Sequence, residues 1–115
     1  MEYTILIVED EIEICNAIEI YLKTQGYHVL KAHNGQEGLE IVAKETIHLA
    51  IVDIMMPVMD GIQMTMKIRE KYDFPIIMLS AKSEDIDKIT GLNKLLVLIL
   101  GLMIMLQNHL YQWNF

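Results

Sequence analysis

Residues 3–8, YTILIV, form an apolar run too short for a helix and rich in β-branched side chains, which predicts a buried strand. Three acids follow at once, Glu9, Asp10 and Glu11. The apolar positions then recur every three or four residues. Ile12, Cys15, Ile18 (or Ala17) and Leu22 alternate with Glu13, Asn16, Glu19 and Lys23, the pattern of a helix with one buried face, and Gly26 is placed to end it.

YHVLKA predicts a second strand, and Asn34 with Glu37 three residues on has the spacing of a capping box opening a second helix, with Leu39, Val42 and Ala43 as its buried stripe. HLAIVDIM is almost wholly apolar up to Asp53, as a central parallel strand covered on both faces should be. The Pro- and Gly-marked loop MPVMDG leads to a helix over 62–72 built on Met64, Ile68 and Tyr72, which Phe74-Pro75 stops. IIMLSA reads as a fourth strand, and Ser83 or Ser80 starts a further helix through Ile86, Ile89 and Leu92. Strand and helix alternate four times, which predicts an α/β doubly wound parallel sheet.

The chain has 115 residues, room for one domain and one core. Its formal charge is -7, and all 16 acids lie before residue 88, so direct contact with nucleic acid, which needs a basic surface, is not expected. The single cysteine, Cys15, forms no internal disulfide; it reads as a buried helix residue in a reducing compartment. MEYTILIVED has no basic segment before its short apolar run, so no signal peptide is expected and the cytoplasm is the default location. After Lys94 no acidic, lysine or arginine side chain occurs, yet the longest apolar run there, Leu95 to Leu106, is 12 residues, short of the roughly 17 to 25 a membrane span needs.

In open parallel sheets functional groups gather beyond the carboxyl ends of the strands, where strand order reverses. Glu9 and Asp10 follow the first strand and Asp53 ends the third. Carboxylates crowded there raise one another's proton affinity unless a cation sits between them, and an all-oxygen donor set with room for water suits Mg²⁺. Glu11 reads more simply as an acid at the positive end of a helix. Asp53 is harder to explain that way, because an acid closing an apolar strand is costly to desolvate. Ser80 ends the fourth strand as Asp53 ends the third, so its hydroxyl either reaches a ligand above the sheet or caps the next helix.

ILIVEDE, LAIVDIMMPVMDG and PIIMLSAK, in this order, together resemble the receiver domain of two-component response regulators, with the best fit to the OmpR/PhoB-like subfamily and its vancomycin-resistance-type members, in which DKITGLN also recurs. The resemblance covers residues 3 to 93 and makes 1–93 an incomplete receiver domain and 94–115 a tail foreign to the family. It implies a flavodoxin-like sheet of order 2-1-3-4-(5), an arrangement that obeys the same switch-point rule and of which a member of this superfamily is a standard example. It implies that Asp53 is the phosphoacceptor, that Glu9, Asp10, Asp53 and the Met55 backbone carbonyl hold Mg²⁺, and that Ser80 touches the phosphoryl group. The donor would be the phosphohistidine of a sensor kinase. Glu9 stands where many members have Asp.

The family's fifth strand with its lysine, the aromatic switch segment before it and the last helix are not found in residues 94–115. The genetic code offers a reason. Read from the third base of each codon, Met103-Ile104 forces aspartate, Gln107-Asn108 allows lysine or glutamate, Asn108-His109 allows proline or serine, and Trp113-Asn114 forces glutamate. With permitted choices elsewhere the shifted frame from Leu100 spells Leu-Gly-Ala-Asp-Asp-Tyr-Val-Thr-Lys-Pro-Phe-Ile-Pro-Met-Glu-Leu, the family's missing segment. The tail is therefore expected to be a frameshifted reading of a longer regulator gene, and residues 94 to 99 remain extra length. Against this, Met103, Leu106, Leu110 and Trp113 share one helical stripe and LLVLIL has strand character, so the tail is alternatively a substitute strand and helix. Without such a substitute, an exposed strand edge favours homo-oligomers or aggregates.

The function expected is a phosphorelay receiver, impaired by the missing lysine and without a DNA-binding module, which modifies only itself and is no enzyme toward an outside substrate. The alternative is a phosphorylation-incompetent remnant that docks on a kinase or on other receivers. Phosphatases of the haloacid-dehalogenase type also use an Asp after a strand, but they place a second Asp two residues on, where this chain has Met55.

Overall fold

The structure, a computed structural model, describes residues 3–54, 56 and 58–79. Along them alternate β1 (Thr4–Val8), α1 (Ile12–Thr24), β2 (His28–Ala32), α2 (Gly35–Lys44), β3 (Leu49–Asp53), α3 (Gly61–Arg69) and β4 (Ile76–Leu79). The strands form one sheet in the order β2-β1-β3-β4, every neighbouring pair parallel. This is the flavodoxin-like doubly wound arrangement expected from the sequence. The chain steps from β1 to β2 on one side and returns past β1 to β3, so the order reverses between β1 and β3. The helix expected to start at Ser83 or Ser80, and the apolar tail expected either to lack the fifth strand and last helix or to replace them, lie outside the described residues.

The continuous apolar runs of the two central strands follow from their position. Ile5 to Val8 in β1 and Leu49 to Val52 in β3 are fully buried, which a sheet covered on both faces requires. Leu6, Val8, Ala50 and Val52 pack on one face with Val42 of α2 and Met64 and Ile68 of α3. Right-handed crossovers in opposite directions put α1 on the other face, with Ile14, Cys15, Ile18 and Leu22 turned inward.

The helices depart from expectation in detail. Ile12 is 61% exposed and Ile14 takes its place in the core. Ile12 opens α1 about one and two-thirds turns before Ile18 and so looks away from it. In α2 the inward stripe is Gly35, Gly38 and Val42, with Leu39 half-buried and Ala43 exposed. α3 starts one residue earlier than expected and ends at Arg69, because the Asp60 carboxylate caps it by accepting from the Gln63 amide at 2.8 Å; Tyr72 falls past its end. Gly26 follows α1 with φ 87°, the left-handed conformation that helix-ending glycines supply. The Asn34–Glu37 pair forms as predicted: the Asn34 side chain accepts from the Glu37 amide at 2.8 Å.

Candidate functional site

The register of the central strands brings the acids together. Val8 pairs with Val52, so the next residues, Glu9 and Asp53, leave adjacent strands side by side at the carboxyl edge of the sheet. The Glu9 amide still donates to the Ala32 carbonyl at 3.0 Å, which prolongs the β1–β2 ladder by one bond and keeps Glu9 in the sheet. Asp10 follows at the exposed start of the turn into α1. One carboxylate oxygen from each of Glu9, Asp10 and Asp53 lies within 4.8 Å of the others. The convergence that the sequence predicts above the sheet is thus present, at the point where strand order reverses.

Burial makes this cluster electrostatically costly. Glu9 is 4% exposed, whereas Asp53 is half-buried and Asp10 faces solvent. Desolvation is the main force that pushes the Glu9 carboxyl from an ordinary 4.5 up to about 8; the neighbouring carboxyls of Asp53 and Asp10 add to it, and the Glu11 amide opposes it. That amide donates to Glu9 Oε2 at 3.0 Å. Glu11 occupies the N-cap position of α1, but its side chain makes no cap hydrogen bond, so its role is to present this backbone donor. Three hard oxygen donors in a pocket that disfavours negative charge are the donor set a small divalent cation takes, and its charge would counter the effect of burial on Glu9. The residues present therefore fit Mg²⁺.

Met55 and Ser80, the other two predicted site residues, lie outside the described residues. Two residues escaped the sequence reading. Gly61 opens α3 against the end of β3: its amide donates to the Ile54 carbonyl at 3.0 Å, and a Cβ there would come within 2.9 Å of the Asp53 carbonyl carbon. His33 follows β2 as Glu9 follows β1, and its ring reaches the Glu9 main chain. Its place just past a strand end was the available signal.

Fold and site define a doubly wound α/β protein with an acidic pocket at its switch point. The response regulator receiver domain family matches residues 5–99, and the chain belongs to that family. It is 49% identical over 92 residues to the regulatory protein VanR of Enterococcus faecium, a match that spans 80% of this chain and 40% of VanR. It is 41% identical over 93 residues to the regulatory protein VanRc of Enterococcus gallinarum, across 81% of this chain and 40% of VanRc. Among solved structures, the N-terminal domain of a response regulator receiver protein from Methanoculleus marisnigri superposes with a TM-score of 0.67 at 36% identity, over 70% of this chain and 68% of that one. The chain spans about two-fifths of the length of these curated relatives.

Proposed function

We propose that this receiver domain takes a phosphoryl group onto Asp53 from the phosphohistidine of a sensor kinase. The observation that carries the reading is the approach of Glu9, Asp10 and Asp53 to within 4.8 Å of one another at the switch point of the sheet. An Asp53 carboxylate oxygen attacks phosphorus, the bond from phosphorus to the histidine nitrogen breaks, the nitrogen keeps the electron pair, and an acyl phosphate remains on Asp53. Glu9, Asp10, Asp53 and the Met55 carbonyl would hold a Mg²⁺ ion, which when bound would neutralise charge on the phosphoryl oxygens. Half-burial leaves Asp53 open to an incoming phosphoryl donor, while the ladder bond of Glu9 fixes the floor of the pocket. Ser80 supplies a hydroxyl to the phosphoryl group. The kinase that meets this domain works in the cytoplasm.

No lysine follows Lys94 in the sequence, so the family's fifth-strand lysine has no counterpart there. Loss of one preorganised positive partner to a developing anion costs roughly 3 kcal/mol, or about a hundredfold in rate, so transfer is slow. The same absence favours the second reading, a remnant that binds a kinase or another receiver without being phosphorylated. Incubation with Mg²⁺ and acetyl phosphate followed by intact mass separates the two. Gain of one phosphoryl group, absent in Asp53→Asn, supports the receiver; an unchanged mass after prolonged incubation supports the remnant.

A further inference from the structure

The capping box of α2 is wired to the acidic pocket through a single side chain. The Asn34 side chain accepts from the Glu37 amide at 2.8 Å, and the Glu37 carboxylate turns back to accept from Asn34 Nδ2 at 3.0 Å and from the His33 amide at 3.4 Å. A capping-box glutamate ordinarily reaches the N-cap residue's own backbone amide. Here it holds the residue before it. His33 is thereby fixed at the carboxyl end of β2, half-buried, with ring Nδ1 at 3.3 Å from the backbone carbonyl oxygen of Glu9. A carbonyl only accepts, so Nδ1 carries the proton and donates. The Glu9 residue is then held on both sides: its amide by the Ala32 carbonyl at 3.0 Å, and its carbonyl, which belongs to the peptide that links it to Asp10, by His33.

We infer that His33 is a positioning residue for the divalent-cation pocket, fixing the Glu9–Asp10 peptide, and with it the spacing of the two carboxylates, by donating from Nδ1 to the Glu9 carbonyl. The inference rests on the metal-binding part of the function proposed above and adds a residue that itself contacts neither cation nor phosphoryl group. Its physical basis is preorganisation. Glu9 stays in place through its ladder bond, but Asp10 is exposed and its backbone swings about the Glu9–Asp10 peptide once that carbonyl is released.

The test is Mn²⁺ affinity of the whole 115-residue chain, read by the electron paramagnetic resonance signal of free Mn²⁺, with the metal-free melting temperature measured beside it. Asn carries its amide nitrogen the same number of bonds from Cα as histidine carries Nδ1, so His33→Asn keeps the donor and His33→Ala removes it. His33→Ala is expected to weaken Mn²⁺ binding about three- to tenfold, the range set by one net hydrogen bond, and His33→Asn to restore it. If His33→Ala fails to fold, His33→Asn decides alone: unchanged affinity supports the assignment and weakened affinity overturns it. Equal affinity in His33→Ala and the parent chain, or equal weakening in both variants, overturns the role of His33 while leaving the pocket intact. Absence of Mn²⁺ binding in the parent chain instead overturns the metal reading itself, and this inference with it.

Discussion

Gly61 is packed directly against the backbone of Asp53. A Cβ at Gly61 would fall inside the van der Waals shell of the Asp53 carbonyl oxygen and stand 2.9 Å from both the Asp53 carbonyl carbon and Ile54 Cα. These are backbone atoms of a central strand and the turn after it, which have nowhere to move without shifting the acid at the strand's end. Gly61→Ala is expected to lower stability by about 1–3 kcal/mol, the usual cost of overpacking, and to slow phosphorylation of Asp53 beyond what the lost stability explains. Urea unfolding and the acetyl phosphate assay check it. A variant as stable and as readily phosphorylated as the parent would show that the contact is slack.

Gly38 supplies the contrast. A Cβ there meets chiefly the tip of the flexible Met64 side chain, with Val8 Cγ2 at 3.1 Å and Met64 Sδ at 3.3 Å. The methionine can swing aside, and alanine is the better helix former by about 1 kcal/mol. Gly38→Ala is expected to leave stability within about 1 kcal/mol of the parent. Equal losses for the two glycine variants would refute the distinction between a backbone and a side-chain neighbour.

Glu9 gives the metal-free domain a pH dependence whose sign is set by its buried carboxyl. Its value in the fold is about 8 against an ordinary 4.5, so across that interval the folded state holds the proton more tightly than the unfolded chain. The contribution of Glu9 to stability is then greatest below the lower value and falls as pH rises towards the higher one, by something on the order of a few kcal/mol. With a chelator present, the urea midpoint should drop between pH about 5 and about 8, and Glu9→Gln should flatten the slope. Mg²⁺ should stabilise more at the upper end, where the cation has no proton to displace. A slope that survives in Glu9→Gln would assign the effect to other groups.

The parts of this molecule legible in the sequence are those encoded by local periodicity. The apolar runs of β1 and β3 mark central strands because both faces of each are covered, and the Asn34–Glu37 spacing marks a helix start because that cap is made within one turn. Glu9, Asp10 and Asp53 could be gathered on paper because strand ends in a parallel sheet share one edge. Assigning burial to Ile12 rather than Ile14 failed because a helix with apolar residues at 12, 14 and 15 offers two stripes, and only its seating on β1 and β2 chooses between them. Gly61 and His33 were harder to find for another reason, although the place of His33 just past a strand end was a partial signal. Their roles rest on contacts to Asp53 and Glu9 across the sheet edge, distances that no spacing along the chain records. Met55 rests on family resemblance alone, and Ser80 on its place after the fourth strand together with that resemblance.

Cys15 should be inert in the native protein. It is fully buried in α1, and desolvation foremost pushes its thiol up to about 11, against an opposing effect of Lys31. Because the thiolate is the reactive species, alkylation near neutral pH should proceed at the rate of unfolding and accelerate sharply in denaturant. Mass spectrometry after brief iodoacetamide exposure, with and without urea, measures this. Rapid modification without urea would mean that α1 opens far more readily than its packing on β1 suggests.

Val58 stores strain that a substitution should release. It has φ 69° and is 99% exposed, so a β-branched side chain is held in the left-handed region with no packing in return. That conformation costs a residue with a Cβ about 1–2 kcal/mol, and more for a branched one. Asparagine tolerates it through local hydrogen bonding, and glycine tolerates it freely but loses about 0.5–1 kcal/mol to the greater freedom of the unfolded chain. Val58→Asn and Val58→Gly are both expected to raise stability, by about 0.5–1 kcal/mol once these terms are set against each other. The two can still differ in function, because Val58 lies in the loop between Asp53 and α3: the more pliant glycine should bind Mn²⁺ no more tightly than the parent despite its greater stability. Urea midpoints and Mn²⁺ titrations of both variants decide the matter, and a loss of stability in both would show that Val58 does not occupy the left-handed conformation.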